Sequence, residues 1–114
     1  MSNDLEIGIY KGRDGWSARS RVALDDHGLP GRILDINSYK GFRGGVWTHA
    51  QCSKIEGGFQ SFVIYGDFSK TVLEDRKARC TEKTVKKMQQ AAVAQLDALL
   101  AECVNFYRNK ESAQ

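Results

Sequence analysis

Along the first two thirds of the chain, apolar and polar residues change places one by one. Leu5, Ile7 and Ile9 alternate with Glu6, Gly8 and Tyr10, the period of a half-buried strand, and Lys11–Gly15 reads as the turn that ends it. Trp16, Ala18, Val22 and Leu24 then share one face while Ser17, Arg19 and Arg21 take the other, and the Asp- and Gly-rich segment Asp25–Gly31 closes this second strand. A third strand is predicted over Arg32–Tyr39, with Leu34 and Ile36 inward. After a glycine turn at Gly41–Gly45, Val46–Ile55 and Phe59–Phe68 form a hairpin around Glu56-Gly57-Gly58. None of these connections is long enough for a parallel crossover, so the strands form an antiparallel meander.

At Thr81 the period changes. Val85, Met88, Ala92, Leu96, Leu99, Cys103 and Phe106 recur at intervals of three and four, the stripe of an amphipathic helix, with Thr81 as its N-cap. A straight helix from 81 to 109 is roughly 43 Å long at ~1.5 Å per residue, whereas a domain of this size has a radius of gyration of about 13 Å. Such a helix overhangs its own sheet unless it breaks or bends, or unless its C-terminal part packs on a second copy as a homodimer. The fold class that follows is α+β: a sheet of four or five strands over residues 1–68, a basic connecting loop over 69–80, one long C-terminal helix over 81–109 and a tail over 110–114.

Composition narrows the function classes. With 114 residues, 41% hydrophobic and 27% charged, the chain has room for one domain with one core. Its apolar runs are far shorter than the ~20 residues of a membrane span. Met1–Glu6 has neither the basic nor the apolar stretch of a secretion signal, which predicts the cytoplasm. There Cys52, Cys80 and Cys103 are reduced thiols, and with His27 and His49 they form no zinc-ligand spacing, so no metal or cofactor is expected.

Catalytic patterns are missing too. His49 and Cys52 point to opposite faces of one strand, His27 lies in a turn, and no nucleophile elbow, zinc-protease helix or phosphate loop is present. The expectation is a protein without catalytic residues. Cys80, beside Arg79 and at the start of the helix, is expected to alkylate faster than Cys103.

Charge is the most informative feature. The net charge is only +3, but Arg76, Lys77, Arg79, Lys83, Lys86 and Lys87 stand against a single acid, Glu82, between residues 76 and 87. Cations in the first turns of a helix oppose its dipole by a few tenths of a kcal/mol each, a cost offset when an anion docks there. Phe42 and Arg43 in the glycine turn, with Tyr39, Trp47 and Tyr65 on nearby strands, are either surfaces on which unpaired bases stack or, for most of the rings, parts of the core. Since Val46 and Trp47 face opposite ways, one of them must leave the buried side.

The stretches Thr48-His49-Ala50-x-Cys52, Glu56-Gly57-Gly58-Phe59-x-Ser61-Phe62, Asp67–Thr71 and Cys80–Val85 resemble small proteins carried on bacterial prophages and integrative mobile elements, a likeness over about half the chain that brings no catalytic residues with it. Antiparallel strands followed by one C-terminal helix are also similar in layout to PC4-like single-stranded DNA-binding proteins, which implies dimers and DNA binding by analogy. Two functions stay open. The first is non-catalytic binding of nucleic acid, single-stranded or within a nucleoprotein, at the basic start of the helix, through Arg76, Lys77, Arg79, Lys83, Lys86 and Lys87 with Arg43 and Phe42. The second is inhibition of a host defence complex by contact with an acidic protein surface, as anti-CRISPR proteins do.

Overall fold

The computed structural model describes the backbone of residues 5–56 and 62–112 and the side chains of 5–54 and 66–110. Five strands pair antiparallel in chain order: β1 (Gly8–Gly12), β2 (Gly15–Ala23), β3 (Arg32–Lys40), β4 (Val46–Glu56) and β5 (Phe62–Asp75). The expected meander is therefore present. Leu5 and Ile7 precede the first strand, and residues 57–61 of the expected hairpin turn lie outside the described residues. The last strand departs from the reading: it runs to Asp75, so much of the segment expected as a basic loop over 69–80 is sheet. Thr71 and Val72 are good strand formers, and two register shifts, at Thr48/His49 and Gln51/Ser53, fit the long strand to β4.

The helical stripe also divides. Residues Glu82–Val93 form α1 and Leu96–Ser112 form α2, in place of one helix over 81–109 with a loose tail. Neither Gly nor Pro lies at the break. The amide of Gln95 instead bonds the Ala92 carbonyl at 2.9 Å, and that of Leu99 bonds Gln95 at 3.0 Å, so the chain tightens for one turn and restarts. Tertiary packing is the cause, because only after the break can Leu99, Cys103 and Tyr107 reach Cys52 and Phe68. The ion pairs Lys70–Glu102 (2.8 Å) and Lys110–Asp67 then hold α2 along β5. With the helix broken, the overhang that called for a second copy is gone.

Both helices cover the same face. Leu24, Leu34, Ile36, Ala50, Cys52 and Phe68 form the larger apolar cluster beneath Ala92, Leu99, Cys103 and Tyr107. A smaller one joins Ala18 and Val46 to Val85, with Trp16, Cys80 and Met88 around it. Two stripe positions were misread: the fully buried residue of α1 after Val85 is Gln89, with Met88 half-exposed, and Tyr107 takes the place expected for Phe106, which is 37% exposed.

Gln89 is at the centre of a buried hydrogen-bond network. Its amide nitrogen donates to Ser20 Oγ (3.0 Å) and to the Ile36 carbonyl (2.7 Å), and its Oε1 accepts from Ser38 Oγ (2.7 Å). With that proton committed, Thr48 must donate to Ser38 across 2.7 Å. All of these side chains are buried, and each has a partner, the condition under which polar groups in a core stabilise instead of costing energy. Gln89→Leu strands Ser20, Ser38 and the Ile36 carbonyl, and each orphaned buried group costs about 1–3 kcal/mol. Urea unfolding should show Gln89→Leu less stable by about 2–4 kcal/mol, whereas the same change at exposed Gln90 should stay within about 0.5 kcal/mol.

Candidate nucleic-acid interface

Three connections meet at one end of the sheet: the Arg13-Asp14 turn, the Lys40–Gly45 loop and the Arg76–Thr81 segment that leads into α1. Glycine makes the contact possible. Gly45 lies so close to the backbone of Asp75 and Arg76 that a Cβ would collide with it, at a left-handed φ of +74°. On the other side Gly15 sits against the Cys80 carbonyl at φ +114°. The segments 12–15, 40–45 and 74–87 together hold nine basic residues and four acidic ones.

The structure brings some of the expected residues together and separates others. Phe42, Arg43 and Arg76 line one niche of about 380 Å³ with Gly44 and Trp47. Lys83 and Lys87 instead flank a second hollow, lined also by Glu74, Asp75, Ala78 and Met88. The run that is almost purely basic in sequence is therefore interleaved with carboxylates in space. Arg76 pairs with Glu74 at 2.5 Å, and the Lys77 amide donates to Asp75 at 3.1 Å. Arg79 and Lys86 are exposed. The start of α1 is already capped, since Thr81 Oγ1 accepts from the Thr84 amide at 3.2 Å. The cations around it thus form an electrostatic surface, while the helix supplies part of its own anion substitute.

Val46 takes the buried side and Trp47 the opposite one. That second face carries no helix, and the strand register sets its side chains in rows. Tyr10 pairs with Ser17, Tyr39 with Trp47, and Trp47 with Glu74, which makes one row beside the three connections. The next row holds Gly8, Arg19, Asn37, His49 and Thr71, with Arg19 bonded to Asn37 at 3.2 Å. Further along, the face closes: Asp35 and Ser53 are buried, and Asp35 accepts from Arg21 (2.9 Å) and Ser53 (3.3 Å). The side chain of Tyr65 lies outside the described residues.

His49 bonds Ser69 at 2.6 Å, and burial holds its pKa below the ordinary 6.5. At neutral pH it adds no charge, so Arg19 and Arg21 provide the cations of this face. The thiols sit elsewhere. Cys52 and Cys103 share a hydrogen bond inside the core, which pulls Cys52 down to about 6 and drives Cys103 upward, while burial pushes nearby Tyr107 up to about 12. Arg32 lies over the Tyr107 ring at 4.2 Å. Neither sulfur reaches solvent. Cys80, half-buried, donates its thiol proton to the Trp16 carbonyl at 3.0 Å, which ties the segment before α1 to β2.

Tyr10, Arg13, Arg19 and Lys40 were missed as site residues. Alternation had already placed Arg19 on the outer face, but only strand register shows that Tyr10, Tyr39 and Trp47 belong to one row. Among the described residues no cluster of His, Cys, Asp or Glu is arranged to hold a metal, and no helix is long and apolar enough to cross a membrane. Comparison of the chain with protein-family models, curated proteins and solved structures found no match.

Two measurements check this geometry. A thiol reagent on the folded protein should label Cys80 first and reach Cys52 and Cys103 only under denaturant, which mass spectrometry of the labelled peptides reads directly. The imidazole NMR signals of His49 should titrate with a midpoint below 6.5. Because its folded pKa is depressed, His49 favours folding fully above pH 6.5, and that contribution is lost as the pH falls through the folded value.

Proposed function

We propose that this chain is a non-catalytic nucleic-acid-binding protein that holds phosphates at the end of the sheet where its three connections converge. The observation that carries the reading is the gathering there of nine basic residues from three separate segments against four acidic ones. Arg43, Lys77, Arg79, Lys83, Lys86 and Lys87 are exposed. Phosphate contacts of this kind set position and affinity without reading sequence. Glu74 restrains Arg76, and together with Asp75 it moderates the field, which suits a reversible contact more than a permanent one.

Binding should depend strongly on salt. Six phosphate contacts give a log–log slope of about −4 on single strands, since each contributes about −0.7. Fluorescence anisotropy of labelled oligonucleotides should show this slope, and the triple variant Lys83/Lys86/Lys87→Ala should bind at least tenfold more weakly with a slope shallower by about 2. A wild-type protein that binds no oligonucleotide at low salt would contradict the reading and shift attention to an acidic protein partner.

A further inference from the structure

Three hollows, one on the helix-free face and two around the loop end of the sheet, share lining residues. The first lies between β1 and β3, bounded by Tyr10, Arg19 and Tyr39. Tyr39 is shared with the second, which passes Arg13 and Lys40 to Phe42. Phe42 in turn opens the third, the niche with Arg43, Trp47 and Arg76. Aromatic rings and cations therefore alternate along one path, from the outer strand to the start of the α1 connection.

Three of the four rings on this path are unusually exposed for their size, and Trp47 is half-buried. Phe42 is 98% exposed, Tyr10 56% and Tyr39 41%. Packing does not require them to be there: Phe42 stands on a glycine loop and touches no part of either apolar cluster. Tyr10 folds back over Gly8, where any side chain would strike its ring, so the tyrosine lies along the strand. Gly41 presses against the Trp47 indole nitrogen, and a Cβ there would collide with it. That nitrogen is buried and has no hydrogen-bond partner among the described residues. The glycines thus fix the aromatic rings beside the cations.

We infer that a single-stranded nucleic acid runs along this path, from the open face at Tyr10 and Arg19 over the loop end of the sheet, its unpaired bases stacking on Tyr10, Tyr39, Phe42 and Trp47 and its phosphates meeting Arg13, Arg19, Lys40, Arg43 and Arg76. The inference rests on the nucleic-acid reading above and adds the strand form and the residues that select it. Stacking needs an exposed base face, which a single strand offers and a duplex hides between neighbouring pairs. Cations alone bind either form. Three strand spacings of about 4.8 Å separate β1 from β4, about 14 Å in all. At about 3.4 Å per stacked nucleotide that is room for about four bases. Neither ring stacking nor phosphate contact involves the 2′ position, so DNA and RNA strands both fit.

The test compares one mixed-sequence octamer as single-stranded DNA, as single-stranded RNA and as a DNA duplex, by anisotropy at low salt, with Phe42→Ala and Tyr39→Ala beside the Lys83/Lys86/Lys87→Ala variant. Both substituted rings are exposed, so folding is preserved, and circular dichroism checks it. Single strands of both sugars should bind about tenfold or more tightly than the duplex. Each ring variant should lose about fivefold or more on single strands, with the salt slope unchanged and duplex binding unaltered. Equal affinity for duplex and single strand, or ring variants that bind like the wild type while the lysine variant does not, overturns the stacking path and leaves the phosphate reading in place. Absence of all binding by the wild type overturns both.

Discussion

The position of everything else depends on how α1 is seated, and a buried amide decides that. An apolar stripe alone lets a helix slide or rotate over a sheet at little cost, because hydrophobic contact has no direction. Gln89 removes that freedom. Its side chain reaches Ser20 on β2 and the Ile36 carbonyl and Ser38 on β3, with Thr48 of β4 joined through Ser38. One residue of translation along the helix would leave several of these groups buried and unpaired, each at about 1–3 kcal/mol. The network therefore selects a register as much as it adds stability.

From that register the rest follows. Val85 comes to rest on Ala18 and Val46, which puts the first turn of α1 over the end of the sheet where the glycine loops lie. Lys83 and Lys87 are thereby carried to the flank of β5, next to Glu74 and Asp75. In the other direction, Ala92 reaches the larger cluster, and the chain must turn before Leu99, Cys103 and Tyr107 can cover Cys52 and Phe68. Both helices lie on one face as a result. The other face keeps Tyr10, Tyr39, Arg19 and Asn37 accessible near the loops and closes only further along, at Asp35 and Ser53.

Much of this was legible in the sequence, because strand periodicity survives without knowledge of partners. The meander, the split of Val46 from Trp47 and the opposite facing of His49 and Cys52 all come from a period of two. The helix break was not legible: Ala94 and Gln95 are ordinary helix residues, and the turn at that point is imposed by the sheet below. Gln89 was hidden for a related reason, since a polar residue in a stripe looks like a gap until its partners on three strands are known. The end of β5 was misjudged, with the strand stopping at Phe68 and a basic loop over 69–80, although Thr71 and Val72 favour a strand. For the site, the sequence showed the cations but not the row that joins Tyr10 to Trp47.

Charge distribution gives the two faces one electrostatic direction. The segments at the loop end hold nine basic and four acidic residues, five net positive charges in a chain of net +3, so the remainder carries two net negative charges. The asymmetry does not serve the helix, whose first turn has its own cap in Thr81 and its own acid in Glu82. An uneven charge distribution orients a molecule in the field of a charged partner before contact. Screening at physiological salt, about 8 Å, confines that effect to the last approach. On the proposed nucleic-acid reading, the loop end, with Arg43, Arg76 and the start of α1, is the part that such a field draws first.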